Sequence, residues 1–261
     1  MKVALAQLDI AWEDKQENQK RCCVMLEEAK KQGADFILFP EMTLTGFSMN
    51  TDTYAEPLQN SPSIAFFQQK AMQYQMIICF GLMVKNGEKA ENHCMIVDET
   101  GKIITDYTKI HPFSYGTESK FYSGGEHVTS CQIKGIPVSP LICYDLRFPE
   151  IFQACSVHSH VITVIANWPT PRRCHWISLL KARAIENQCY ILGVNRCGNG
   201  DGLEYSGDSM IIDPYGKIVA MAKETSQTVV IGEIDDTIVT KYRQEFPLKQ
   251  DRKPSLYRQL Y

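Results

Sequence analysis

Three side chains in this 261-residue chain stand where chemistry tends to collect in layered α/β proteins, just beyond the carboxyl ends of apolar runs. "FILFPE" puts Glu41 past one such run, and "DYTKIH" puts Lys109 at the end of another. "PLICYDLRFPE" stops a third run at Cys143 and begins a charged, helix-like stretch at once. A thiol becomes a strong nucleophile when a base takes its proton, and a poorly hydrated carboxylate can be that base. An oxyanion formed by attack on a carbonyl needs donors, which an ammonium such as Lys109 and the main-chain N–H of Tyr144 could provide. Each residue also has an ordinary reading: Glu41 as a cap or loop charge, Lys109 as an edge residue, Cys143 as packing. Spacing along the chain does not say that positions 41, 109 and 143 meet.

The elements between them must decide that. Apolar runs of strand length alternate with longer amphipathic stretches, the pattern of a layered α/β protein. Strands are expected at 2–10, 35–40, 76–84, 92–98 and 102–108, with helices at 15–33 and 61–75. Gly33 would close the first helix, and Ser61 with Pro62 would open the second. The order then recurs: strand 136–143, helix 147–157, strand 160–167, helix 175–188, and strands 189–195, 208–213 and 217–222. Two hairpins, "MIVDETGKII" (95–104) and "MIIDPYGKIV" (210–219), share M-I-x-D-x-x-G-K-I, and "YQMIICFG" and "NQCYILGV" echo one another more weakly. Two echoes in the same order favour an internal duplication. Two halves, each a sheet faced by two helices, would bury their sheets against one another. The expected fold is a four-layer α-β-β-α sandwich forming one domain over 1–261, with 245–261 as a C-terminal arm. That last stretch has no clear counterpart in either half.

Composition narrows the function class. The chain is 44% hydrophobic and 22% charged with a net charge of −3, so it has no electrostatic grip suited to nucleic acid. No run of about 20 apolar residues exists, so no membrane span is expected. Gln7 and Asp9 interrupt the apolar N-terminus, which does not resemble an export signal. The ten cysteines form no CxxC pair and mostly sit inside apolar runs, which reads as reduced thiols in the cytoplasm.

"FPEMTLTGF", "YTKIH" and "LICYDLRFPE", in that order and at these separations, resemble the three signature blocks of the nitrilase superfamily, carbon–nitrogen hydrolases with a Glu-Lys-Cys triad. The resemblance covers nearly the whole chain and implies the duplicated sandwich reached above from the repeats. It implies Glu41 as base, Cys143 as nucleophile, and Lys109 with the Tyr144 N–H as oxyanion donors, acting on a small-molecule amide with no metal and no organic cofactor. Many family members carry a second glutamate after the lysine. In "HPFSYGTESKFYSGG" the pattern points to Glu118, with Glu126 as the alternative, and a solvated loop charge as the plain reading of either. Family members usually form dimers, so a homodimer through "RFPEIFQACSV" and the tail is expected, although burial within one chain would leave the same apolar pattern.

The block "ANWPTPRRCHWISLLKARAIENQ" resembles the ω-amidase branch, which hydrolyses terminal amides of 2-oxo dicarboxylic acids such as 2-oxoglutaramate. The resemblance places Arg172 where a cation would hold the substrate carboxylate, and Asn167 and Trp168 where they would line the pocket. Arg173 reads as a solvated charge. Another small aliphatic amide or an N-carbamoyl amine is the rival substrate. A non-catalytic module would usually have lost a triad member, and a redox sensor would need a resolving cysteine such as Cys131 or Cys155. The "HSH" at 158–160 lacks companion ligands for a metal. His175 and Trp176 start an expected helix, where capping and packing explain them about as well as catalysis does. Arg147 and Glu150, spaced i, i+3, would steady the turn after Cys143. "YSGGEH" lacks the following helix that a phosphate loop requires.

Overall fold

Apolar residues at period two or in short runs make strands here, and the strands assemble into two sheets with the same internal order. In the computed structural model, which describes residues 1–223 and 225–260, the first sheet contains Lys2–Gln7, Phe36–Leu38, Ile77–Asn86, Lys89–Val97 and Ile103–Thr108 as successive neighbours. The first three are parallel and the last two antiparallel. The second sheet repeats this with Ile136–Ile142, Val161–Ala166, Tyr190–Asn195, Met210–Ile212 and Ile218–Met221. Parallel neighbours need a long crossover. Helices Lys15–Lys31 and Pro62–Tyr74 supply it in the first half, Pro149–Cys155 and Arg173–Asn187 in the second.

The repeated hairpins show why the duplication is legible in sequence. In each, the aspartate accepts main-chain N–H bonds across the turn: Asp98 Oδ1 from Lys102 at 3.0 Å, Asp213 Oδ1 from Lys217 at 2.9 Å. In each, a glycine takes a left-handed conformation, Gly101 at φ 83° and Gly216 at φ 82°. A register shift falls next to the turn in both. The motif persists because this turn needs an acceptor at one position and a residue without Cβ at another.

The sheets stack with their inner faces together. Val3, Leu5, Phe36, Leu38, Ile77 and Cys79 of the first sheet share a core with Val138, Val164, Ile165 and Leu192 of the second, and with Phe152, Trp176 and Leu180 of its helices. Ala4, Ala6, Ile37, Ile78 and Phe80 point the other way, onto Met25, Leu26, Ala29, Phe67 and Ala71 of the first two helices. The result is the α-β-β-α sandwich. Two edge strands were not legible in advance. Cys131–Ile133 follows the first half but pairs with the first strand of the second sheet. Thr228–Glu233 follows the second half but pairs with the first strand of the first sheet. The halves therefore exchange edges, and short, partly exposed strands of this kind carry little periodic signal.

Most expected elements lie within a residue or two of their predicted bounds. The 136–143 strand stops at Ile142, because Cys143 takes a left-handed conformation. The expected helix 147–157 is shorter, a 3₁₀ turn over Cys143–Arg147 followed by the helix Pro149–Cys155. The tail folds back on this same helix: Lys249 Nζ donates to the Ser156 carbonyl at 2.5 Å, and Arg252 donates to Gln153. No helix among the described residues is long and apolar enough to cross a membrane.

Candidate active site

Glu41 lies in the turn after Phe36–Leu38, where Pro40 has ended the strand. The turn is fastened to the neighbouring strand by a reciprocal pair: Thr43 N–H donates to the Gly81 carbonyl at 3.0 Å, and Gly81 N–H to Thr43 Oγ1 at 3.0 Å. This approach is so close that a Cβ on Gly81 would stand 2.5 Å from the Met42 nitrogen. From the other sheet, Asn167 clamps the same glutamate. Its main-chain N–H reaches Glu41 Oε2 at 2.9 Å, and its side-chain amide reaches the Glu41 carbonyl at 2.6 Å.

Lys109 follows the strand Ile103–Thr108, and its N–H is paired with the Asn92 carbonyl at 2.8 Å. Its ammonium sits between two carboxylates, 2.9 Å from Glu41 Oε1 and 2.9 Å from Glu118 Oε2. The Asn92 amide binds both as well, at 2.7 Å to Glu41 and 3.2 Å to Glu118. Glu118 opens a short helix, Glu118–Phe121, and also accepts the Phe113 N–H at 2.5 Å, which closes the loop it belongs to. All three charges are fully buried, with side-chain exposure of 1% for Lys109 and 0% for each glutamate. Glu126, the alternative second glutamate, is exposed on a separate surface groove with Asp106 and Thr108.

Cys143 has φ 43°, in the left-handed region that costs a non-glycine residue of order 1 kcal/mol or more. Asp145, two residues on, supports this turn. One carboxylate oxygen accepts from the Ile142 N–H at 3.1 Å and the Tyr107 hydroxyl at 2.7 Å; the other accepts from the His111 N–H at 3.1 Å and pairs with its Nδ1 at 2.8 Å. Tyr107 and His111 flank Lys109 two residues away on either side. One buried carboxylate thus ties the cysteine turn to the lysine turn. Tyr144 stands at the start of that turn, where main-chain N–H groups have no partner within the helix.

The charges set each other's protonation. Burial works to lower the Lys109 pKa, but Glu118 and Glu41 outweigh it and hold the ammonium well above its ordinary value. Burial first, then Glu41 opposed by Lys109, pushes the Cys143 thiol well up, and its hydrogen bond to Glu41 acts in the same direction. Burial also raises Glu118, against the pull of Lys109. The resting site therefore holds Cys143 as a neutral thiol rather than a free thiolate.

Cys143, Lys109, Asn167, Trp168 and Arg172 all line one cavity of about 200 Å³. That volume suits a small molecule. Arg172 is half-buried with its guanidinium 5.4 Å from the Phe113 ring centroid. Trp168 is held by Asn195, whose amide exchanges bonds with its N–H and carbonyl at 2.7 and 2.9 Å, and its indole N–H donates to the Arg172 carbonyl at 2.8 Å.

Two expectations for nearby arginines are corrected. Arg147 does not pair with Glu150. It lies 4.9 Å over the Trp168 ring, 3.2 Å from His175 Nδ1, and lines the cavity, because the 3₁₀ turn rotates it away from the helix that follows. Arg173 is not a merely solvated charge. It binds the buried Asp208 through two bonds of 2.7 and 2.6 Å, and Trp176 donates to the Asp208 carbonyl at 3.0 Å. No cluster of three or more His, Cys, Asp or Glu fit to hold a metal occurs among the described residues, His158 and His160 included. The thiols in contact are Cys79 and Cys94, at 3.4 Å, away from the cavity.

Sequence reading passed over Asn92, Asp145 and Asn195. Asn92 did leave a signal: alternation along Lys89–Val97 puts it on the face of Cys94 and Ile96, which points into the sandwich. A polar residue on an inward face needs a partner there.

A family model described as carbon–nitrogen hydrolase matches residues 2–244. The omega-amidase YafV of Escherichia coli (strain K12) is 34% identical over 252 residues, spanning 96% of each chain. The 2-oxoglutaramate amidase of Bacillus subtilis (strain 168) is 33% identical over 258 residues, spanning 98% of each. Among solved structures, a CN-hydrolase superfamily protein from Xanthomonas campestris, with an arsenic adduct in its active site, superposes with a TM-score of 0.91 at 28% identity, covering 97% of each chain.

Proposed function

The chain belongs to the carbon–nitrogen hydrolases, as an amide-hydrolysing member of the nitrilase superfamily's ω-amidase branch, and on that premise we propose that it removes the terminal amide of 2-oxo dicarboxylic acid monoamides, 2-oxoglutaramate and 2-oxosuccinamate, by way of a thioester on Cys143. The observation that carries this reading is the cavity itself. At its base an accessible thiol meets a buried Glu41–Lys109–Glu118 cluster. On its walls stand two guanidiniums, of Arg147 and Arg172, that pair with no carboxylate among the described residues. Asp201 also lines the cavity but pairs with neither guanidinium, and a cation left without an ion-pair partner suits a substrate carboxylate, which the planar fork of arginine can bind through two hydrogen bonds. In this reading Arg172 takes the carboxylate, while Asn167 and Trp168 bound the pocket.

The chemistry follows from the protonation state. Because the thiol is neutral at rest, its proton must leave as the sulfur attacks, and Glu41 is the base in contact with it. Cys143 Sγ bonds to the amide carbon while Glu41 takes the thiol proton. The carbonyl oxygen becomes an oxyanion held by Lys109 Nζ and the Tyr144 N–H. The buried cluster begins with two carboxylates and one ammonium; when Glu41 is protonated, the new oxyanion takes over its negative charge, so net charge is unchanged. Glu41 then gives the proton to the amide nitrogen, the C–N bond breaks and ammonia leaves. Water enters, loses a proton to Glu41 and attacks the thioester. The thiolate is expelled and takes the proton back, leaving the carboxylic acid. Glu118 holds the Lys109 ammonium in place throughout.

We further infer one domain over 1–261 whose 245–261 arm, beginning where the helix Thr237–Glu245 ends, joins the helix Pro149–Cys155 in a homodimer contact, in a cytoplasmic setting. Its support is the exposed apolar side chains, Val157 just past the helix Pro149–Cys155 and Phe246, Leu256 and Leu260 on the arm, and ten cysteines all present as free thiols. Sedimentation of the full chain against a variant ending at 244 tests it: a dimer that persists unchanged without the arm would refute this contact.

The test of the activity is ammonia release from 2-oxoglutaramate and 2-oxosuccinamate, with glutamine, asparagine and simple aliphatic amides as comparisons, for wild type and Cys143→Ala. Turnover of the keto-acid amides, lost in the variant, is the expected result. Cys143-dependent turnover of other amides alone would discard the substrate; turnover that survives in Cys143→Ala would discard the mechanism.

A further inference from the structure

One wall of the cavity belongs to neither sheet. It is the hairpin of Cys197–Gly200 and Leu203–Ser206, which brings Leu203 and Tyr205 to the cavity. The hairpin is fastened from behind by Arg196, which has 0% exposure. One guanidinium nitrogen of Arg196 donates to the Ile10 and Asn199 carbonyls, each at 2.8 Å, and Nε donates to the Cys197 carbonyl at 3.3 Å. The other, Nη1, occupies a slot left by two glycines: a Cβ on Gly200 would stand 2.5 Å from it, and one on Gly46 3.3 Å. The guanidinium carbon lies 4.4 Å from the centroid of the Tyr205 ring. A desolvated cation stacked on a phenol holds that ring firmly.

Tyr205 is 2% exposed and lines the cavity; its hydroxyl forms no hydrogen bond within the described residues and is not among the unpaired polar atoms sealed from solvent, so it keeps access to solvent. A buried donor is normally paired, and one that faces a cavity unpaired is available to a ligand. Burial, opposed by Arg196 and reinforced by the nearby Cys143 and Glu41, holds the phenol up at about 12, so it stays protonated and can donate at any working pH. The strand Leu203–Ser206 packs beside the turn Thr170–Arg172, and Tyr205 and Arg172 line the same cavity.

We propose that the Tyr205 hydroxyl donates to the 2-oxo oxygen of the substrate, beside the carboxylate held by Arg172. This rests on the substrate reading given above. In a 2-oxo acid the carboxylate and the keto oxygen stand on adjacent carbons, and an arginine fork next to a single donor matches that pair. The hydroxyl is then what separates a 2-oxo amide from the same amide with a methylene in place of the ketone. Such a group discriminates strongly, because a substrate lacking the acceptor leaves the buried donor unpaired.

Tyr205→Phe tests this, since it keeps the ring, the stack on Arg196 and the wall. Steady-state ammonia release is measured for wild type and variant with 2-oxoglutaramate and with glutaramate, which lacks only the keto oxygen. The expected result is a loss of about tenfold in kcat/KM for 2-oxoglutaramate, mainly in KM, with less than about twofold change for glutaramate. Equal losses on both substrates would mean that the phenol is only a wall, and no loss on either would mean that it makes no contact; both overturn the proposal. Wild type that releases no ammonia from 2-oxoglutaramate would overturn the substrate reading and this inference together, and that result appears before any variant is compared. Matching melting curves show that the variant is folded.

Discussion

Gly81→Ala puts the link between sheet packing and the Glu41 carboxylate, the proposed base, to a direct test. Gly81 lies in the interior of Ile77–Asn86, far along the chain from Glu41, Lys109, Glu118 and Cys143. Its ideal Cβ would stand 2.5 Å from the Met42 nitrogen, 2.9 Å from Glu41 Cα and 3.0 Å from the Glu41 carbonyl carbon. All three are main-chain atoms, so no rotamer change relieves the overlap. Ordinary contact begins near 3.4 Å, which requires strand and turn to part by roughly 0.9 Å. The reciprocal Gly81–Thr43 bonds, both 3.0 Å, would stretch past useful length. Asn167 holds Glu41 from the opposite side, so the strain falls on the carboxylate. Overpacking of this kind costs about 1–3 kcal/mol, or several degrees in Tm for a chain this long. A displacement approaching 1 Å at a proton-transfer group costs about 10²-fold in rate. The assay is ammonia release from whichever amide wild type turns over, with thermal melting in parallel. Gly87→Ala is the control: its φ is 61° and nothing lies within 4 Å of the new Cβ, so it carries a strain of about 1 kcal/mol without touching the site. It should lose stability and keep its kcat/KM. Gly81→Ala with kcat/KM within about twofold of wild type, or Gly87→Ala with an equal loss, would refute the reasoning.

Asp145→Asn should lower unfolding stability by about 3 kcal/mol in urea titration, because an amide cannot accept all four bonds the carboxylate now takes; a loss under about 0.5 kcal/mol, the size of an ordinary surface change, would contradict it. Glu118→Gln should reduce kcat by about 10²-fold by loosening Lys109. Because the Glu118 charge helps to raise the Cys143 thiol, the same variant should alkylate faster at Cys143, read by mass spectrometry after iodoacetamide, and slower labelling would count against the electrostatic account. Lys249 titrates near 8, lowered by burial and then by Arg243, so the folded state releases its proton before the unfolded state does. Below about pH 8 the fold bears the cost of the buried ammonium, and stability is regained as pH rises from there toward the ordinary lysine range. Lys249→Met should therefore show a smaller rise in stability than wild type between about pH 8 and 10 in chemical unfolding, and parallel curves would refute this.

Much of this protein was legible because its physics is local or repeated. Strand and helix order follow from apolar period, and the duplication shows in sequence because the same turn needs the same aspartate and glycine twice, at Asp98 with Gly101 and Asp213 with Gly216. Glu41, Lys109 and Cys143 drew attention because each ends an apolar run, a position that chain order alone reveals. Glu118 needed the family pattern, and Asn92 needed the inward face to be taken seriously.

Tertiary structure decided the rest. It put the Lys109 ammonium within 3 Å of both Glu41 and Glu118, which are 77 residues apart in the chain. It exchanged the edge strands Cys131–Ile133 and Thr228–Glu233 between the halves, a choice made by unpaired main-chain groups on the facing sheet rather than by their own periodicity. It turned Arg147 from a helix surface into a cavity wall and gave Arg173 a buried partner. Side-chain type and spacing determine which chemistry is available and which element carries it. Which buried charge faces which, and hence which groups hold a proton, depends on distances of a few ångströms between segments remote in sequence, and those are set when the two sheets close on each other.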